Sequence, residues 1–542
     1  MNLEEWIRRT GRTLAGDYSH EYDIVRELYD YSPWDKADWQ ERAKWVDEKS
    51  YPAANRTELI HSLIRYNDKL HNDPASFAAI EKLKRDDALV IVGGQQAGLF
   101  SGPLLTIHKI ITILQAAREA EKELGRPVVP IFWIAGEDHD FDEVNHIYSL
   151  STQQSVDKIK LEHPTGIRTS ISRLAIDSWE DALKQLDGHL MQTEFKGPLM
   201  ETLLTFAGKS ATLSDFFGRM MAWLFGKHGL VLLDSDDPGI RKLEGRMFAE
   251  LLRRSKEVND QVLEGYQRVR ELGYTPQADA TEDNANLFLF DAHGERHLLR
   301  RSGDRFVDKK AEMGYSLEEL TALAAEEPER FSNNVMTRPV MQDYLLPVLG
   351  AVLGPGELAY WGMTKGVFHT LGMRMPVLIP RREFTLIEGT VKKHMEKYEL
   401  SPDDVAERFE ERRDSWLKQQ DELHLEEQFA GVKRQVEELY APVLATVGAI
   451  NPGMKKLGEM NLQKIIEQIA FLEARATEAH QSQFDASLRQ LERIRLTIQP
   501  LGKPQERVYN VLAYLNKYGS GWIDELIDVP FRLRPLHTIV YL

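Results

Sequence analysis

Two loops in the first third of the chain contain residue types that bind and react with polar ligands. The first follows an apolar run at 88–92 and contains four glycines and two adjacent glutamines. Glycines let backbone N–H groups approach a ligand, and the start of a following helix attracts anions. The spacing matches neither the dinucleotide fingerprint nor the phosphate loop, so a tight connection is the alternative to a binding loop. The candidate residues are Gly93, Gly94, Gln95, Gln96, Gly98, Gly102 and His108.

The second loop follows an apolar run at 128–134 and is rich in carboxylates and imidazoles. Such a group could position an amine or hydroxyl substrate and supply a general base, or it could bind a divalent metal ion. A solvated helix start capped by aspartates is the alternative. The candidate residues are Glu137, Asp138, His139 and Asn145, and the metal-binding alternative uses His139, Asp140 and His146.

A third segment, 333–388, supplies arginines, aromatic residues and a Gly-Pro-Gly-Glu turn. Arg381 and Arg382 follow a predicted strand, so they could bind a phosphate or carboxylate through two hydrogen bonds each. Surface arginines and a packing turn are the alternative. The candidates here are Arg338, Tyr360, Trp361, Lys365, Arg381, Arg382 and Thr385, and a further candidate nucleotide contact consists of Arg507, Tyr509 and Asn510.

The elements around the first two loops predict how these loops are positioned. Residues 103–123 have helical apolar spacing and end at a glycine and a proline. A helix between two strands predicts a parallel βαβ unit, which brings both loops to the carboxyl edge of one sheet. Ligands bind at that edge in open α/β folds. Apolar runs at 229–234 and 375–380 predict further strands, whereas 1–85 has helical spacing.

These patterns predict an α/β protein with a parallel-sheet core, two insertions and a helical domain. In the helical domain, charged residues surround a thin apolar seam with three- and four-residue steps, and Asn451-Pro452-Gly453 divides it into an antiparallel coiled-coil hairpin. Two amphipathic helices lying on the core are the alternative. The predicted segments are 1–150, 226–270 and 331–390 for the core, 151–225 and 271–330 for the insertions, 391–500 for the coiled coil, and 501–542 for a C-terminal segment docked on the core.

Composition excludes several classes of protein. The 542 residues are too many for one ordinary core, and a net charge of −17 argues against nucleic-acid binding. The chain has no cysteine, which excludes disulfides, cysteine-bound zinc, iron–sulfur clusters and thiol nucleophiles. It shows no signal-peptide pattern and no apolar run of membrane length. We therefore expect a soluble cytoplasmic protein that binds neither nucleic acid nor membrane.

One enzyme family resembles this chain in four sequence blocks: GGQQAGLFSGPLLTIHK, FWIAGEDHDFDEVNH, RPVMQDYLLPVLGAVLGPGELAYW and PRREFTLIE. They are similar, in the same order and over the whole chain, to the cysteine-adding ligases of bacillithiol biosynthesis. The resemblance implies ligation of L-cysteine to the amine of glucosaminyl-malate. It also implies a Rossmann-like core similar to class I nucleotidyltransferases, with two connecting insertions and a coiled coil that forms a homodimer.

The implied reaction needs an activated carboxylate, which implies ATP or ADP as the nucleotide and no metal centre beyond a possible Mg²⁺. Asp138 or His139 would accept the proton of the amine, and His108 is the third predicted catalytic residue. The predicted substrate-binding residues are Gln95, Gln96, Gly98, Gly102, Glu137, Asn145, Arg338, Tyr360, Trp361 and Arg381. The predicted nucleotide-binding residues are Gly93, Gly94, Lys365, Arg382, Thr385, Arg507, Tyr509 and Asn510. The alternatives are a metal-dependent hydrolase or deacetylase of an amino sugar and a non-catalytic protein that assembles the pathway.

Overall fold

The computed structural model describes residues 2–7, 12–48, 53–151, 154–308, 314–420, 424–534 and 537–542. The chain forms two compact units: Met1–Thr385 with Lys503–Val540 and Leu542, and Leu386–Gly502 with Tyr541. Among the helices of the described residues, none is long and apolar enough to cross a membrane.

The described residues form strands and helices throughout both units. The strands are β1 (Asn2–Trp6), β2 (Leu89–Gln95), β3 (Val128–Ile134), β4 (His146–Leu150), β5 (Val156–Lys160), β6 (Val231–Asp234), β7 (Asn284–Phe290), β8 (Arg296–Ser302), β9 (Arg305–Val307), β10 (Gly314–Ser316), β11 (Phe331–Asn333), β12 (Val348–Leu353), β13 (Val377–Pro380), β14 (Phe384–Ile387) and β15 (His537–Tyr541). The helices of the first 385 residues are α1 (Leu14–His20), α2 (Lys36–Glu48), α3 (Arg56–Lys69), α4 (Pro74–Lys82), α5 (Leu104–Leu124), α6 (Phe141–Val144), α7 (Glu180–His189), α8 (Lys196–Gly208), α9 (Leu213–Phe225), α10 (Pro238–Arg253), α11 (Ser255–Glu271), α12 (Leu317–Glu326), α13 (Arg338–Leu345), α14 (Pro355–Trp361) and α15 (Lys365–Thr370). The later helices are α16 (Gly389–Lys397), α17 (Pro402–Glu407), α18 (Phe409–Gln419), α19 (Leu425–Gly448), α20 (Pro452–Ser482), α21 (Asp485–Ile498), α22 (Leu512–Tyr518) and α23 (Gly521–Ile527).

The core is a five-stranded sheet with the order β13-β12-β2-β3-β6, and every neighbouring pair is parallel. Its strands are buried along nearly their whole length, which is typical of a parallel sheet covered on both faces. The helix α5 joins β2 to β3. The prediction of an α/β fold with this parallel βαβ unit is therefore confirmed.

The first two predicted loops leave the same edge of this sheet. Gln95 pairs in register with Ile134, and the Ala135 N–H donates to the Gln95 carbonyl at 3.0 Å. On the other side of β2, Leu353 ends β12 and leads into the turn at Gly354. From β2 the chain continues to β3 on one side of the sheet, whereas from β12 it continues to β13 on the other side. Open α/β sheets bind ligands in the crevice between two such strands.

Smaller antiparallel sheets lie beside the core. The strands β4 and β5 form one pair, and β7 and β8 form an antiparallel hairpin within the predicted second insertion. The structure differs from the prediction at β1. The spacing of 1–85 predicted helices, but β1 forms a sheet with β15 and β14. Its partner lies at the other end of the sequence, so local spacing could not indicate this pairing.

The second unit is mainly helical. The helices α19 and α20 pack as an antiparallel pair, with Lys433 bonded to Glu473 and Tyr440 bonded to Asn461. The turn between them falls at the predicted Asn451 break. The next helix, α21, is separated from α20 by two residues, at the position where the apolar seam shifts. The predicted coiled-coil domain is thus confirmed.

Gly136 lies just after β3, where two other elements approach it closely. A Cβ added to Gly136 would lie 1.9 Å from Ser172 Oγ and 2.3 Å from Asp234 Oδ1. The Ser172 hydroxyl donates to Asp234 Oδ2 at 2.6 Å, and the Ser172 N–H donates to the Gly136 carbonyl at 3.1 Å. The absence of a side chain at Gly136 therefore lets the segment around Ser172 dock against the end of β6.

Replacement of Gly136 by alanine should lower the free energy of unfolding by about 1–3 kcal/mol, because Ser172 and Asp234 must move apart from the added methyl group. Gly197→Ala on α8 is the matched control, since no atom lies within 4 Å of the added Cβ. Urea denaturation of the two variants measures the difference. Equal stability of Gly136→Ala and the native protein would argue against this close approach.

Candidate functional site

A cavity of about 520 Å³ opens at the carboxyl edge of the core sheet. It is lined by residues from all three segments that the sequence singled out. The predicted site residues that line it are Gln95, Gln96, Asp138, His139, Arg338, Tyr360, Arg381 and Arg507. Further charged side chains in its wall are Lys109, Asp140, Glu143, Arg168 and Glu357. The structure therefore brings eight of the predicted residues together in one cavity.

Lys109 joins the loops that follow β2 and β12. Its Nζ donates to the Gly94 carbonyl at 2.6 Å and to Gln95 Oε1 at 3.0 Å, and it forms an ion pair with Glu357. Glu357 also accepts a hydrogen bond from the Gly354 N–H at 2.8 Å. Burial lowers the pKa of Lys109, although Glu357 opposes this shift. Because Oε1 of Gln95 is bonded, its NH₂ group is the end that can meet a ligand.

Gln96 joins the two loops that follow β2 and β3. Its amide nitrogen donates to Asp138 Oδ2 at 2.6 Å and to Glu143 Oε2 at 3.0 Å. The backbone N–H of His139 donates to Asp138 Oδ1 at 2.8 Å. Burial opposes ionisation of Asp138, but Arg296 and Gln96 outweigh it and hold the pKa of this carboxyl below its ordinary value. Asp138 is therefore ionised at neutral pH and suited to a cationic amine.

His139 lies between two guanidinium groups. Arg168 Nη2 is 2.8 Å from Nε2 of the imidazole, and Arg296 Nη1 is 2.9 Å from Nδ1. Burial and then the charge of Arg296 lower the pKa of His139 below its ordinary value. At neutral pH the ring is therefore uncharged.

Glu137 lies beneath the cavity and does not line it. It is 1% exposed and forms an ion pair with Arg241, which also contacts Asp236 at 3.4 Å and Glu244 at 2.5 Å. Arg338 Nε lies 3.8 Å from Glu137 Oε1, which is too far for a direct hydrogen bond. Arg338 in the cavity wall therefore has a buried negative charge directly behind it.

His108 belongs to a buried ion-pair cluster outside the cavity. Its Nδ1 lies 2.8 Å from Glu506, whose carboxylate also accepts two hydrogen bonds from Arg381. Burial lowers the pKa of His108, although Glu506 opposes this shift. Burial also opposes ionisation of Glu506, but Arg381 outweighs it and holds the pKa of Glu506 well below its ordinary value. This cluster fixes Arg381, which is the member that reaches the cavity.

The glycines of the first loop allow a tight buried turn. A Cβ added to Gly98 would lie 2.6 Å from the Cα of Gly102. Phe100 and Ser101 have φ angles of 47° and 82°, values that residues other than glycine rarely adopt. Asn510 Nδ2 donates to the carbonyls of Phe100 and Gly102, each at 2.6 Å. The sequence predicted that Asn510 contacts a nucleotide. In the structure its side chain binds the backbone of this turn.

Comparison with known proteins decides the family. The model of the bacillithiol biosynthesis BshC N-terminal Rossmann-like domain matches residues 1–382, and the model of the BshC C-terminal coiled-coil domain matches residues 384–542. The chain belongs to the BshC family. This agrees with the Rossmann-like sheet and the antiparallel helical pair described above.

Relatives over the full length bear the name of a ligase. The chain is 35% identical over 531 residues to "Putative cysteine ligase BshC" of Bacillus cereus strain Q1, with 98% of each chain covered. It is 34% identical over 546 residues to the protein of the same name in Bacillus licheniformis, with 100% of each chain covered. A solved structure, titled as a putative arginyl-tRNA synthetase from Campylobacter jejuni, is 10% identical over 78% of this chain and 93% of that chain, but its TM-score of 0.19 is too low to compare the folds. This member of the BshC family is therefore a ligase of bacillithiol biosynthesis.

In this BshC-family chain, the remaining predicted residues lie outside the cavity. Gly93 and Gly94 are part of β2, where a Cβ on Gly93 would lie 2.8 Å from Ile113. The others are engaged within the fold: Asn145 with Asp142, Trp361 against Phe368, Lys365 with the carbonyls of Glu27 and Tyr29, Arg382 with Gln115, Thr385 with His537, and Tyr509 in a bridge to Tyr148. Their polar groups hold the elements around the site rather than face it.

The sequence did not single out several charged residues that shape the site. A local sequence feature did indicate Lys109, because it is a cation in the apolar first half of α5 and follows directly after His108. No local sequence feature indicated Arg296 or Glu506, because their partners His139 and His108 lie 157 and 398 residues away.

The residues of the metal-binding alternative do not form a set of metal ligands in this cavity. Both ring nitrogens of His139 face arginines, and His146 Nδ1 contacts Asn145 Oδ1 at 3.1 Å. In the ranges that the structure describes, one group of three side chains has metal-ligand spacing, and it lies at the β7–β8 hairpin outside the cavity: Asp291, Glu295 and His297. The hydrolase alternative therefore lacks a set of metal ligands in the cavity.

Glu506→Gln should lower the free energy of unfolding by about 3 kcal/mol near neutral pH, because the buried charge of Arg381 then keeps only the more distant carboxylate of Glu383, at 3.5 Å. The pKa of Glu506 is lower in the folded than in the unfolded protein. Its stabilising contribution is therefore complete above the ordinary glutamate pKa of about 4.3 and is lost as the pH falls below it. The difference between native protein and variant should shrink from about pH 5 to pH 3.

Urea titrations across this pH range measure that difference. The exposed Glu411 on α18 provides the control variant, Glu411→Gln. A gap between native protein and Glu506→Gln that widens as the pH falls would show that Glu506 is not held as a carboxylate.

Proposed function

We propose that the enzyme works in the cytoplasm and joins L-cysteine to the amine of glucosaminyl-malate after ATP has activated the cysteine carboxylate. The observation that supports this is the charge pattern of the cavity. The ionised carboxylate of Asp138 shares the cavity wall with the guanidinium groups of Arg168, Arg338 and Arg507, and the carboxylates of Asp140, Glu143 and Glu357 also line it. An amine that carries malate carboxylates is complementary to this pattern, because guanidinium groups bind carboxylates with two parallel hydrogen bonds.

Activation is needed because a free carboxylate has no good leaving group. A carboxylate oxygen of cysteine attacks the γ- or α-phosphorus of ATP, a new P–O bond forms, and ADP or pyrophosphate leaves, which gives an acyl phosphate or an acyl adenylate. The amine nitrogen then attacks the acyl carbon, the new C–N bond forms, and the C–O bond to the phosphate group breaks. In this proposal Asp138 receives the proton that the amine loses, as a general base. Gln95 and Arg338 donate to the oxygens of the acyl group.

A second cavity, of about 330 Å³, supports a separate place for the nucleotide. It lies beside the first and shares Pro355, Arg381 and Arg507 with it. Apolar side chains such as Trp6 and Leu358 form part of its wall. In the proposed arrangement the base lies against this wall and the phosphates face the two shared arginines.

The decisive assay incubates purified protein with glucosaminyl-malate, cysteine and ATP and follows bacillithiol, AMP and ADP by mass spectrometry. Bacillithiol with AMP supports an adenylate, and bacillithiol with ADP supports an acyl phosphate. Absence of bacillithiol under these conditions overturns the proposed substrates and nucleotide.

Asp138→Asn should lower the rate of bacillithiol formation by about 10²–10⁴-fold, because the amide cannot accept the proton of the amine. Asp142→Asn is the matched control, since Asp142 is an exposed carboxylate in the same loop and does not line the cavity. Initial rates by mass spectrometry measure both variants. A native rate in Asp138→Asn would remove Asp138 from the mechanism.

We also propose a homodimer formed through the outer face of α19. Half-buried residues such as Val436, Tyr440 and Leu444 form one apolar stripe of this helix. A second stripe is exposed, with steps of seven and four residues that are typical of a coiled-coil contact. It consists of Val432, Leu439 and Val443, with Ile450 just after the end of the helix, and Leu439 is 75% exposed.

Leu439→Asp should convert the dimer to a monomer, because a dimer would bury the new carboxylate in an apolar seam. Glu438→Gln, at the neighbouring exposed position, should leave the dimer intact. Size-exclusion chromatography with light scattering gives both molar masses. A monomeric native protein, or a dimer that survives Leu439→Asp, would refute this contact surface.

A further inference from the structure

We infer that His139 serves the reaction as a hydrogen-bond donor through Nε2, and that Arg296 is the positioning residue that gives it this role by occupying Nδ1. The inference rests on the proposed function, because it assigns the part that His139 plays at the same site. It also separates His139 from Asp138, since only Asp138 then acts as the base.

Arg296 is held in place from three directions. Its Nε donates to Ser332 Oγ at 2.8 Å, and its Nη2 donates to the Asn333 carbonyl at 2.8 Å. The guanidinium carbon lies 3.9 Å from the centre of the Phe288 ring, and the side chain is 5% exposed. The remaining nitrogen, Nη1, therefore points at His139 Nδ1 from a fixed position.

A neutral imidazole has one nitrogen that accepts a hydrogen bond and one that carries the proton. Guanidinium groups only donate. Of the two arginines at His139, Arg296 is buried and fixed, whereas Arg168 is exposed. Nδ1 therefore accepts from Arg296, and Nε2 carries the proton.

In this tautomer Nε2–H of His139 and the guanidinium of Arg168 can both donate hydrogen bonds to a ligand. Nε2–H cannot accept from Arg168, although Arg168 Nη2 lies 2.8 Å from it. Two donors this close repel each other unless one acceptor binds both, so the pair favours a ligand atom that accepts from both groups. The chemical group that satisfies both is an anionic oxygen, such as a carboxylate oxygen of the substrate or the oxygen of the acyl group under attack.

The charges around the ring keep it neutral. Asp138 and Asp140 come from its own loop, Arg168 from the segment after β5, and Arg296 from β8. Burial and Arg296 lower the pKa of His139, and they outweigh the effect of the two aspartates. A ring in this state has no free acceptor and cannot take the proton of the amine.

Three substitutions of His139 distinguish a donor from a base. The amide nitrogen of glutamine falls near the position of Nε2, and that of asparagine falls near Nδ1. His139→Gln should keep the rate of bacillithiol formation within about tenfold of the native rate, whereas His139→Asn and His139→Ala should lose about 10²–10³-fold, as expected for a donor to a developing oxyanion. If the native protein is active and His139→Gln is as slow as His139→Ala, the donor role is wrong. If the native protein makes no bacillithiol, the proposed function fails instead.

The positioning role of Arg296 is tested by the pH profile. In Arg296→Gln, the pKa of His139 should rise toward its ordinary value of about 6.5. Above this pH the neutral ring can carry its proton on Nδ1 and lose the Nε2 donor, whereas the charged ring below it carries both protons. The ratio of variant to native kcat/KM should therefore gain a limb that rises as the pH falls through about 6.5. The double variant Arg296→Gln/His139→Gln should lack this limb. A profile of Arg296→Gln parallel to the native one overturns the positioning role.

A measurement of the ring in the native protein does not depend on activity. Nitrogen NMR of histidine-labelled protein at pH 7.5 reports the tautomer of each ring, and comparison with His139→Gln assigns the signal. We expect the Nε2–H form for His139. The Nδ1–H form, or a charged ring, would refute the inference.

Discussion

The buried ammonium of Lys109 determines how the two halves of the site meet. Its side chain is 1% exposed, and a charge so far from water must be paired and hydrogen-bonded to be tolerated. Its three donors reach the Gly94 carbonyl, the Gln95 amide and the Glu357 carboxylate, which uses its full hydrogen-bonding capacity. The loops after β2 and β12 are thereby fixed on either side of the point where the strand order reverses. The residues that line the cavity are arranged around these two loops.

The charged side chains of the cavity wall are supported by charges that lie behind them. Glu137 lies beneath Arg338, and Glu506 holds Arg381 by two hydrogen bonds. Groups held in this way need little reorganisation when charge develops on a ligand, which is how preorganised polar sites favour a reaction. The ion pairs outside the cavity thus serve the orientation of those inside it. The desolvation cost of Glu506 is offset by its hydrogen bonds from Arg381 and its contact with His108.

The local sequence predicted the part of the site that follows strands. Gln95 and Asp138 each come at or just after the end of an apolar run, and parallel strands bring such ends to one edge. The spacing of α5 also placed His108 on an apolar helix face, but spacing does not tell whether that face meets a cavity or the interior. Arg296 and Glu506 could not be predicted, because no local pattern relates residues that lie 157 and 398 positions from their partners. The site is therefore predictable where backbone topology positions it, and not where long-range pairing of charges does.

The turn at Phe100 depends on a residue that is translated much later. Its buried carbonyls accept hydrogen bonds from Asn510, which follows Phe100 by 410 residues. While the ribosome is still translating the coiled coil, all five strands of the core sheet already exist, but this turn lacks its donor. Unpaired buried carbonyls and left-handed backbone angles would then oppose closure of the first loop. In a nascent chain this turn therefore lacks its hydrogen-bond donor until translation has passed residue 510.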